Sequence, residues 1–403
     1  MPRFRPKDGQ ELARLVSWAA GDAEALEVIA AGTKRDLGRP VEAPHLLDVT
    51  AFAGIEAYEP EELVLTARPA TPLAEIEGML QRAEQMLAFE PGDWGPLLGA
   101  AAAHQTLGGM LACNIAGPRR IKQGAARDHL LGFHAVSGRG EEFKAGGRVV
   151  KNVTGYDLSK LMAGSCGTLA VLTEVTLKVL PRPEATGTLV LWGLDDPRAL
   201  AAMTHALNSP HEVSGAAHLP SASAPAVLPG ASRAATLIRV EGPRPSVEAR
   251  AVALHQELRE FGAAEQLLDE VAVAPWRSLA DVSPFALEQD RAIWRISVAP
   301  QSGPAVAATI TRALDARVFF DWGGGLVWCA VPASAIDAGS EIVRAAAKAA
   351  HGHATLVRAS AELRSRIAVF EPQPPALQAL SRRVKESFDP KRILNPGRMY
   401  RDL

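Results

Sequence analysis

Cysteine is scarce in this chain of 403 residues, which contains only Cys113, Cys166 and Cys329. The three lie far apart in the sequence, and none belongs to a CxxC pair. An odd, sparse count argues against a disulfide framework, a zinc ribbon or a bound iron–sulfur cluster. The cysteine pattern therefore favours a reducing compartment.

Long apolar runs and an excess of charge of one sign are also absent. No stretch of 18 apolar residues occurs, which excludes a membrane-spanning helix, and the basic start Met1–Lys7 is not followed by the apolar region of a signal peptide. The formal net charge of -2 does not indicate a general nucleic-acid binder. We expect a cytoplasmic protein with a real apolar core, whose only membrane contact, at the inner membrane, is made through partners.

The first part of the chain alternates strands, helices and glycine-rich loops. Helical spacing of apolar residues predicts a helix over 8–20, a short buried strand follows at 26–30, and a second helix is predicted over 71–87. Thr71 is positioned to cap that second helix. The pattern continues to about Pro181 and indicates an α+β or α/β layered domain.

The second part is more regular. Two successive β-α-β-β-α patterns, over 187–261 and 292–358, predict an internal pseudo-repeat of the ferredoxin-like type. Pro181-Arg182-Pro183 and the segment 371–375 (EPQPP) read as linkers. The predicted domains are therefore 1–181, 182–375 and a C-terminal segment, 376–403.

A loop rich in small residues, 31–38 (AGTKRDLG), directly follows the predicted strand at 26–30. Small residues let the backbone approach a ligand, and successive amides can form a nest for an anion, beside which Lys34 and Arg35 add positive charge. Neither the P-loop spacing nor GxGxxG followed by a helix is present. Alone, the loop is equally consistent with an ordinary turn between strands.

Two further glycine-rich stretches follow. TLGGMLACNIAGPRR, residues 106–120, has small residues that can lie against a planar or extended ligand, and its Arg119 and Arg120 could neutralise a pyrophosphate, a substrate carboxylate or a partner surface. The alternative is tight packing with a solvated arginine pair. The third stretch, 151–169 (KNVTGYDLSKLMAGSCGTL), leads at once into a predicted strand.

In this order, the segments resemble the vanillyl-alcohol-oxidase/PCMH-type FAD-binding family. KNVTGYDLSKLMAGSCGTLAVLTEVTLKVLPRP is similar to the branch that contains bacterial glycolate oxidase and D-lactate dehydrogenases, and TLGGMLACNIAGPRR, DWGGGLVW, HGHAT and NPGRMY agree with that branch in order. The resemblance covers most of the chain. It implies a two-subdomain PCMH-type FAD-binding domain with a ferredoxin-like α+β cap domain.

The resemblance also implies which residues hold FAD. The 31–38 loop would cradle the pyrophosphate, the second stretch would line the flavin and ribityl chain, and the third would approach the diphosphate or the adenine. Because the loop has no histidine to form a histidyl-flavin bond, the FAD should be non-covalent. The residues assigned in this way are Ala31, Gly32, Thr33, Lys34, Thr106, Leu107, Gly108, Gly109, Asn114, Ala116, Gly117, Gly164, Gly167, Thr168, Val171 and Asn395.

The sequence departs from the family pattern at several places. Ala30 replaces the first glycine of the phosphate loop, and Cys166, a packing residue or a reactive thiol, replaces a glutamate of many relatives. The HxGDGNxH-like segment that supplies metal ligands and a histidine base in catalytic relatives is missing, and only His351 and His353 stand near that region. No metal site is therefore expected.

The resemblance implies FAD-dependent oxidation of a small 2-hydroxy acid, glycolate or D-lactate, in a complex with a homologous FAD-containing catalytic subunit and an iron–sulfur subunit. The missing motif favours a redox relay. Two alternatives stay open: a self-sufficient dehydrogenase, with the substrate carboxylate on Arg119, Arg120 or Arg398 and with Tyr156 or a histidine as base, and a non-enzymatic assembly subunit.

Overall fold

The computed structural model describes residues 1–148 and 155–403; residues 149–154, which include the start of the third glycine-rich stretch, lie outside this description. The chain forms two compact units. The first comprises Met1–Ile115, Gly124–Arg182 and Arg364–Leu403, and the second comprises Ala116–Gln123 and Pro183–Leu363. Compared with the domains predicted from the sequence, 116–123 therefore belongs with the second unit and 364–375 with the first.

The elements before Pro183 are mostly short. In chain order they are β1 (Arg3–Phe4), α1 (Gly9–Asp22), β2 (Leu26–Ile29), β3 (His45–Asp48), β4 (Ile55–Glu59), β5 (Val64–Ala67), α2 (Leu73–Arg82), β6 (Gln85–Met86), α3 (Leu107–Ala112), α4 (Arg120–Gln123), α5 (Ala126–His129), β7 (Leu130–Ser137), β8 (Glu142–Gly146), α6 (Leu158–Met162), β9 (Ala170–Lys178) and β10 (Leu180–Pro181).

The elements after Pro183 are longer and more regular. They are β11 (Ala185–Trp192), α7 (Asp196–Asn208), β12 (Gly215–Leu219), β13 (Ala235–Gly242), α8 (Arg244–Glu257), β14 (Ala264–Leu268), α9 (Asp269–Ala280), α10 (Ser283–Ala286), β15 (Arg291–Ser297), α11 (Gly303–Ala313), β16 (Arg317–Asp321), β17 (Leu326–Pro332), α12 (Ser340–Ala349), β18 (His353–Arg358), α13 (Ala361–Arg366) and α14 (Pro375–Phe388).

Two sheets and helix α1 build the core of the first unit. One sheet is parallel, in the order β1-β3-β2, and the other is antiparallel, in the order β4-β5-β9-β7-β8. Asp8 caps α1 by accepting a hydrogen bond from the Glu11 amide at 2.8 Å. The apolar stripe Leu12, Val16 and Ala19 is fully buried in this core.

The C-terminal segment completes the first unit by pairing with β2. The Leu26 amide donates to the carbonyl of Ile393 at 2.7 Å, and the Asn395 amide donates to the carbonyl of Leu26 at 3.0 Å. A buried ion pair secures the turn before this segment: Lys385 Nζ lies 2.8 Å from Asp389 Oδ2. Residues more than 360 positions apart therefore share one sheet edge.

The second unit is one antiparallel sheet in the order β14-β11-β13-β12-β16-β17-β15-β18. Each half follows a β-α-β-β-α-β sequence, and the halves meet between β12 and β16 at the pair His218 and Phe320. Both halves have the connectivity of a ferredoxin-like unit. The strand β14 and the helix α9, which complete and cover the first half, were missed by the sequence prediction.

The predicted helix over 71–87 is wrong at both ends. Thr71 is not its cap: the Thr71 hydroxyl donates to the carbonyl of Arg68 at 2.7 Å and accepts from the Gly54 amide at 2.9 Å. The helix begins at Leu73 and ends at Arg82, after which Glu84 has a positive φ of 53°. That backbone turn leads directly into β6, which pairs with β10.

Candidate functional site

A cavity in the first unit contains about 890 Å³ of empty space, counting the part open to solvent. Most of its lining residues are small. They come from four places in the sequence: Val28, Ile29, Ala30, Ala31, Gly32, Thr33, Lys34, Arg35, Val49 and Pro69; Thr106, Gly108, Gly109, Ala112 and Cys113; Met162, Ser165, Cys166, Gly167, Ala170, Val171 and Leu172; and Asn395 and Arg398.

Many of the residues assigned to the cofactor by resemblance meet at this cavity, and others do not. Those at the cavity are Ala31, Gly32, Thr33, Lys34, Thr106, Gly108, Gly109, Gly167, Val171 and Asn395. Those outside its lining are Leu107, Asn114, Ala116, Gly117, Gly164 and Thr168. The assignment of each residue to FAD stays a prediction.

The 31–38 loop forms tight turns immediately after β2. Gly32 has a φ of 76°, a conformation that favours glycine, and its carbonyl accepts from the Arg35 amide at 3.1 Å. A second turn follows, in which the Leu37 amide donates to the carbonyl of Lys34 at 3.1 Å. Small residues and a left-handed turn give a loop of the kind that binds anions through its amides.

Lys34 is the positive charge nearest the centre of this loop. Its side chain is buried, and its Nζ donates to two neutral groups, Thr33 Oγ1 and Gln105 Oε1, each at 3.3 Å. Burial lowers the pKa of Lys34, against a weaker opposing attraction by Cys113 and Asp93. A buried cation with long hydrogen bonds to neutral groups is stabilised when an anion approaches.

The small residues of the second glycine-rich stretch serve close packing as well as lining the cavity. Thr106 caps α3 by accepting from the Gly109 amide at 3.4 Å. A β-carbon at Gly108 would lie 2.6 Å from Cβ of Pro69, so the close approach of Pro69 leaves room only for glycine at this position. Gly109 faces the Lys34 side chain, since a β-carbon at Gly109 would lie 3.9 Å from Lys34 Cγ.

Asn395 ties three parts of the cavity wall together. Its Oδ1 accepts from the Val28 amide at 2.8 Å, and its Nδ2 donates to the carbonyl of Cys166 at 2.9 Å. A β-carbon at Gly167 would lie 2.9 Å from this Nδ2. Asn395, which has a φ of 43°, therefore holds the third stretch and the C-terminal segment against β2.

The three candidate catalytic residues lie in different places. Arg398 is buried in the cavity wall and its Nη2 donates to the main-chain carbonyl of Lys34 at 2.5 Å, so it positions the 31–38 loop. Tyr156 is 93% exposed and is not among the lining residues. Arg119 belongs to the second unit.

Three of the six assigned residues outside the cavity form hydrogen bonds with the backbone nearby. Asn114 Oδ1 accepts from the Arg127 amide at 3.0 Å, the Gly164 amide donates to the carbonyl of Leu111 at 3.0 Å, and Thr168 Oγ1 donates to the carbonyl of Ser165 at 2.7 Å. Leu107 is fully buried. Ala116 and Gly117 belong to the second unit.

The sequence prediction missed two residues that organise the cavity wall. Lys385 Nζ donates to the carbonyls of Thr168 and Leu394 at 2.6 and 3.0 Å, and Asp389 accepts from the Ile393 and Leu394 amides at 3.1 and 2.8 Å. Burial lowers the pKa of Lys385, against the opposing charge of Asp389. The i,i+4 spacing of a lysine and an aspartate was the available signal, but such pairs are usually exposed.

In the second unit, Arg119 is held by a buried carboxylate. Arg119 Nη2 lies 2.7 Å from Glu241 Oε1, and Arg239 Nε lies 3.4 Å from Glu241 Oε2. Burial alone would raise the pKa of Glu241, but the guanidinium groups of Arg239 and Arg119 lower it to about 2. The charge of Arg119 is thus engaged within its own unit.

Two further arginines lie against Trp322 in the second unit. The guanidinium carbons of Arg120 and Arg295 are 4.4 and 4.9 Å from the ring centroid. Trp322 Nε1 donates to the carbonyl of Gly117 at 3.1 Å. The DWGG segment therefore anchors the PRR segment to the sheet of the second unit.

In residues 1–148 and 155–403, no group of three or more His, Cys, Asp or Glu side chains is arranged to hold a metal ion. His351 and His353 are both exposed. Over the same ranges, no helix has both the length and the apolar character needed to cross a bilayer.

Comparisons with known proteins agree with this geometry. The FAD binding domain family matches residues 3–146, and the C-terminal domain of FAD linked oxidases matches residues 368–399. The fold is similar to that of 4-ethylphenol oxidase from Gulosibacter chungangensis, with a TM-score of 0.74 and 14% identity over 99% of this chain and 89% of the other. p-Cresol methylhydroxylase gives a TM-score of 0.72 at 14% identity, over 99% and 88% of the two chains. These findings define an FAD-linked oxidoreductase of the PCMH type, with an α+β fold, as predicted.

The proteins related in sequence indicate a narrower family within this class. Glycolate oxidase subunit GlcE of Escherichia coli (strain K12) is 36% identical over 396 residues, which is 98% of each chain. The chain belongs to the family of this glycolate oxidase subunit. Glycolate oxidase subunit GlcD of Bacillus subtilis (strain 168) is 29% identical over 46% of this chain and 38% of its own length, and D-lactate dehydrogenase of Anaerostipes hadrus is 34% identical over 36% and 29%.

Proposed function

We propose that this chain is the FAD-binding subunit of a glycolate oxidase complex and takes part in the oxidation of glycolate to glyoxylate. The observation that carries the proposal is the similarity to GlcE over nearly the full length of both chains, in a protein whose first unit has a cavity lined mostly by small residues. D-Lactate is the second substrate to consider, since a D-lactate dehydrogenase is among the relatives.

We assign FAD to the cavity of the first unit. The amides of residues 31–34 and the buried charge of Lys34 would hold the pyrophosphate, and the small residues Gly108 and Gly109 would leave room for the extended cofactor. Bound FAD would supply the redox group that accepts electrons and passes them on. Arg398 and Asn395 act as positioning residues, because both hold backbone rather than point a free group at the cavity.

The proposed role is that of a relay beside a homologous catalytic flavoprotein subunit. Arg119 is engaged by Glu241 and Tyr156 is exposed, which leaves the self-sufficient dehydrogenase with weak support for its substrate-binding and base residues. The proposal includes an iron–sulfur subunit as the onward electron acceptor and membrane contact only through these partners.

The test is the absorption spectrum of the purified chain, alone and with its co-expressed partner subunits, before and after addition of glycolate. We expect a flavin spectrum, release of the flavin on acid precipitation, and bleaching by glycolate only when the partners are present. Bleaching of the isolated chain would instead support the self-sufficient dehydrogenase. A colourless chain that takes up no FAD in titration would contradict the proposal altogether.

A further inference from the structure

Two thiols lie next to each other in the cavity wall of the first unit. Cys113 follows α3 and is half-buried, and Cys166 lies buried in the turn after α6; both line the cavity. The Cys166 amide donates to the carbonyl of Ala112 at 2.8 Å, which places the two cysteine backbones side by side. This proximity is the first requirement for a disulfide between them.

The environment of Cys113 is polar and positively charged. The neighbouring Cys166 thiol, together with the nearby charges of Lys34 and Arg398, lowers the pKa of Cys113 to about 7 in spite of its burial. The neighbouring Cys113 sulfur, together with burial, raises the pKa of Cys166 well above its ordinary value. One thiol is therefore prepared as the thiolate nucleophile and the other holds its proton.

We propose that Cys113 and Cys166 form a thiol–disulfide exchange site in the cavity wall, whose co-reactant is a small soluble disulfide of the glutathione class. Cys113 is the attacking thiol, and Cys166 is the resolving thiol. The exchange chemistry goes beyond the proposed function and does not depend on it.

The exchange proceeds in two steps. The Cys113 thiolate attacks one sulfur of the small disulfide, so that a mixed disulfide forms and one small thiolate leaves and takes up a proton. The Cys166 thiol then loses its proton to water, and its sulfur attacks the Cys113 sulfur and releases the second small thiolate. Two protein thiols are oxidised to one disulfide, while one small disulfide is reduced to two thiols.

The second step is favoured by the first. While Cys113 is a thiolate, it is the main influence that holds the proton on Cys166. Once the Cys113 sulfur is in a mixed disulfide, it carries no charge, so this influence ends and the pKa of Cys166 falls, although burial still raises it. Lys34 and Arg398 remain as neighbouring charges in both steps, and only the charge of the Cys113 sulfur changes.

The third cysteine provides a matched control within the chain. Cys329 is buried in β17 of the second unit, and burial raises its pKa to about 12. It should therefore stay reduced under conditions that oxidise the other two. A residue that serves only to fill space would behave like Cys329.

The test incubates the full-length chain, after removal of FAD, with oxidised glutathione, followed by alkylation, digestion and mass spectrometry. We expect a peptide that links Cys113 to Cys166, while Cys329 remains alkylated. The reaction rate should rise with pH through about 7, because the reacting form of Cys113 is the thiolate. Reduced Cys113 and Cys166 at saturating oxidised glutathione would overturn the proposal, since the measurement is made on the unaltered chain.

Three single substitutions separate the roles of the thiols. Cys166→Ser should accumulate the mixed disulfide on Cys113, Cys113→Ser should slow thiol loss at Cys166 about tenfold or more, and Cys329→Ser should change nothing. Far-ultraviolet circular dichroism of each variant checks the fold. Mixed disulfide on Cys166 in the Cys113→Ser variant, formed at the unaltered rate, would overturn the assignment of Cys113 as the attacking thiol.

A further arm repeats the oxidation with FAD restored to the chain, and only this arm rests on the proposed function. If FAD occupies the cavity, it should shield Cys113 and slow the exchange. Equal rates with and without bound FAD would contradict the assignment of FAD to this cavity, while the linked peptide would still establish the exchange site.

Discussion

Two clusters of buried positive charge, one in each unit of this protein, are held in different ways. In the first unit, Lys34 donates to neutral side chains and Arg398 donates to a main-chain carbonyl, and both line a cavity. In the second unit, Arg119 and Arg239 share the carboxylate of Glu241. The first arrangement leaves cationic character for an incoming anion, and the second is satisfied within the protein.

This contrast shows why a basic motif by itself says little about binding. The PRR segment contains adjacent arginines, which could equally have met a pyrophosphate or a substrate carboxylate. The structure gives Arg119 a protein partner 122 positions away in the sequence, whereas the less conspicuous Lys34 lies at the cavity. The partner of a charge, rather than its place in a motif, indicates what the charge does.

The largest expected effect comes from removing the shared carboxylate. Glu241→Gln leaves Arg119 and Arg239 close together without their counter-charge, so the free energy of unfolding should fall by about 3–5 kcal/mol. Urea denaturation measures this loss. Glu212→Gln is the matched control, because Glu212 is exposed and pairs with the exposed Lys122, and its cost should stay below about 1 kcal/mol. Equal effects in the two variants would mean that the buried carboxylate of Glu241 stabilises the protein no more than an exposed one.

The next effect is the pH dependence of the same carboxylate. The pKa of Glu241 is about 2 in the folded chain, below the 4.5 of an ordinary glutamate, so its contribution is complete above about pH 4.5 and is lost as the pH falls towards 2. The contribution should amount to about 3 kcal/mol. The difference in unfolding free energy between the wild-type chain and Glu241→Gln should shrink between pH 6 and pH 3. A difference that stays constant would mean that Glu241 is not ionised beside the arginines.

A smaller effect is expected at Lys34, where binding and stability should change in opposite directions. Lys34→Met removes a buried charge, so the unfolding free energy should stay level or rise, while FAD should bind about 30-fold more weakly through loss of a charged hydrogen-bond donor worth about 2 kcal/mol. Fluorescence titration with FAD and urea denaturation measure the two changes. Lys144→Met, at an exposed position of β8, should alter neither. Unchanged FAD affinity in Lys34→Met would argue that the cationic cavity is not the cofactor site.

The smallest effect is expected at Tyr156. Because this side chain is 93% exposed, Tyr156→Phe should leave both the FAD affinity and the unfolding free energy within about 0.5 kcal/mol of the wild-type values. In the assembled complex the rate of glycolate oxidation should also be unaltered. A loss of activity of tenfold or more would return Tyr156 to the list of catalytic candidates.

Periodicity predicted most of the fold, and its failures have local causes. The ferredoxin-like repeats were visible because their strands and helices are long and regular. α9 was missed because Pro275 lies inside it, where a proline normally indicates a break. The end of α2 was misplaced because Glu84 adopts a left-handed conformation without the usual glycine signal.

The site was predicted less completely than the fold. Glycine-rich stretches indicated the walls of the cavity, since small residues can be recognised in a short segment of sequence. The contacts that hold those walls together cannot be recognised in this way, because they join residues far apart: Asn395 contacts Val28 across 367 positions, and Lys385 contacts Thr168 across 217. Only the resemblance pointed to Asn395, and the signal for Lys385, its i,i+4 spacing to Asp389, is one that exposed pairs also show.

The pairing of the C-terminal segment with β2 has a consequence for biosynthesis. Leu26 emerges from the ribosome more than 360 residues before Ile393 and Asn395, whose backbone groups complete its strand edge. A nascent chain therefore holds an unfinished sheet edge until those residues have been translated, and the pocket wall that Asn395 ties together can be assembled only then. A chain that stopped before Ile393 would lack the groups that close this edge.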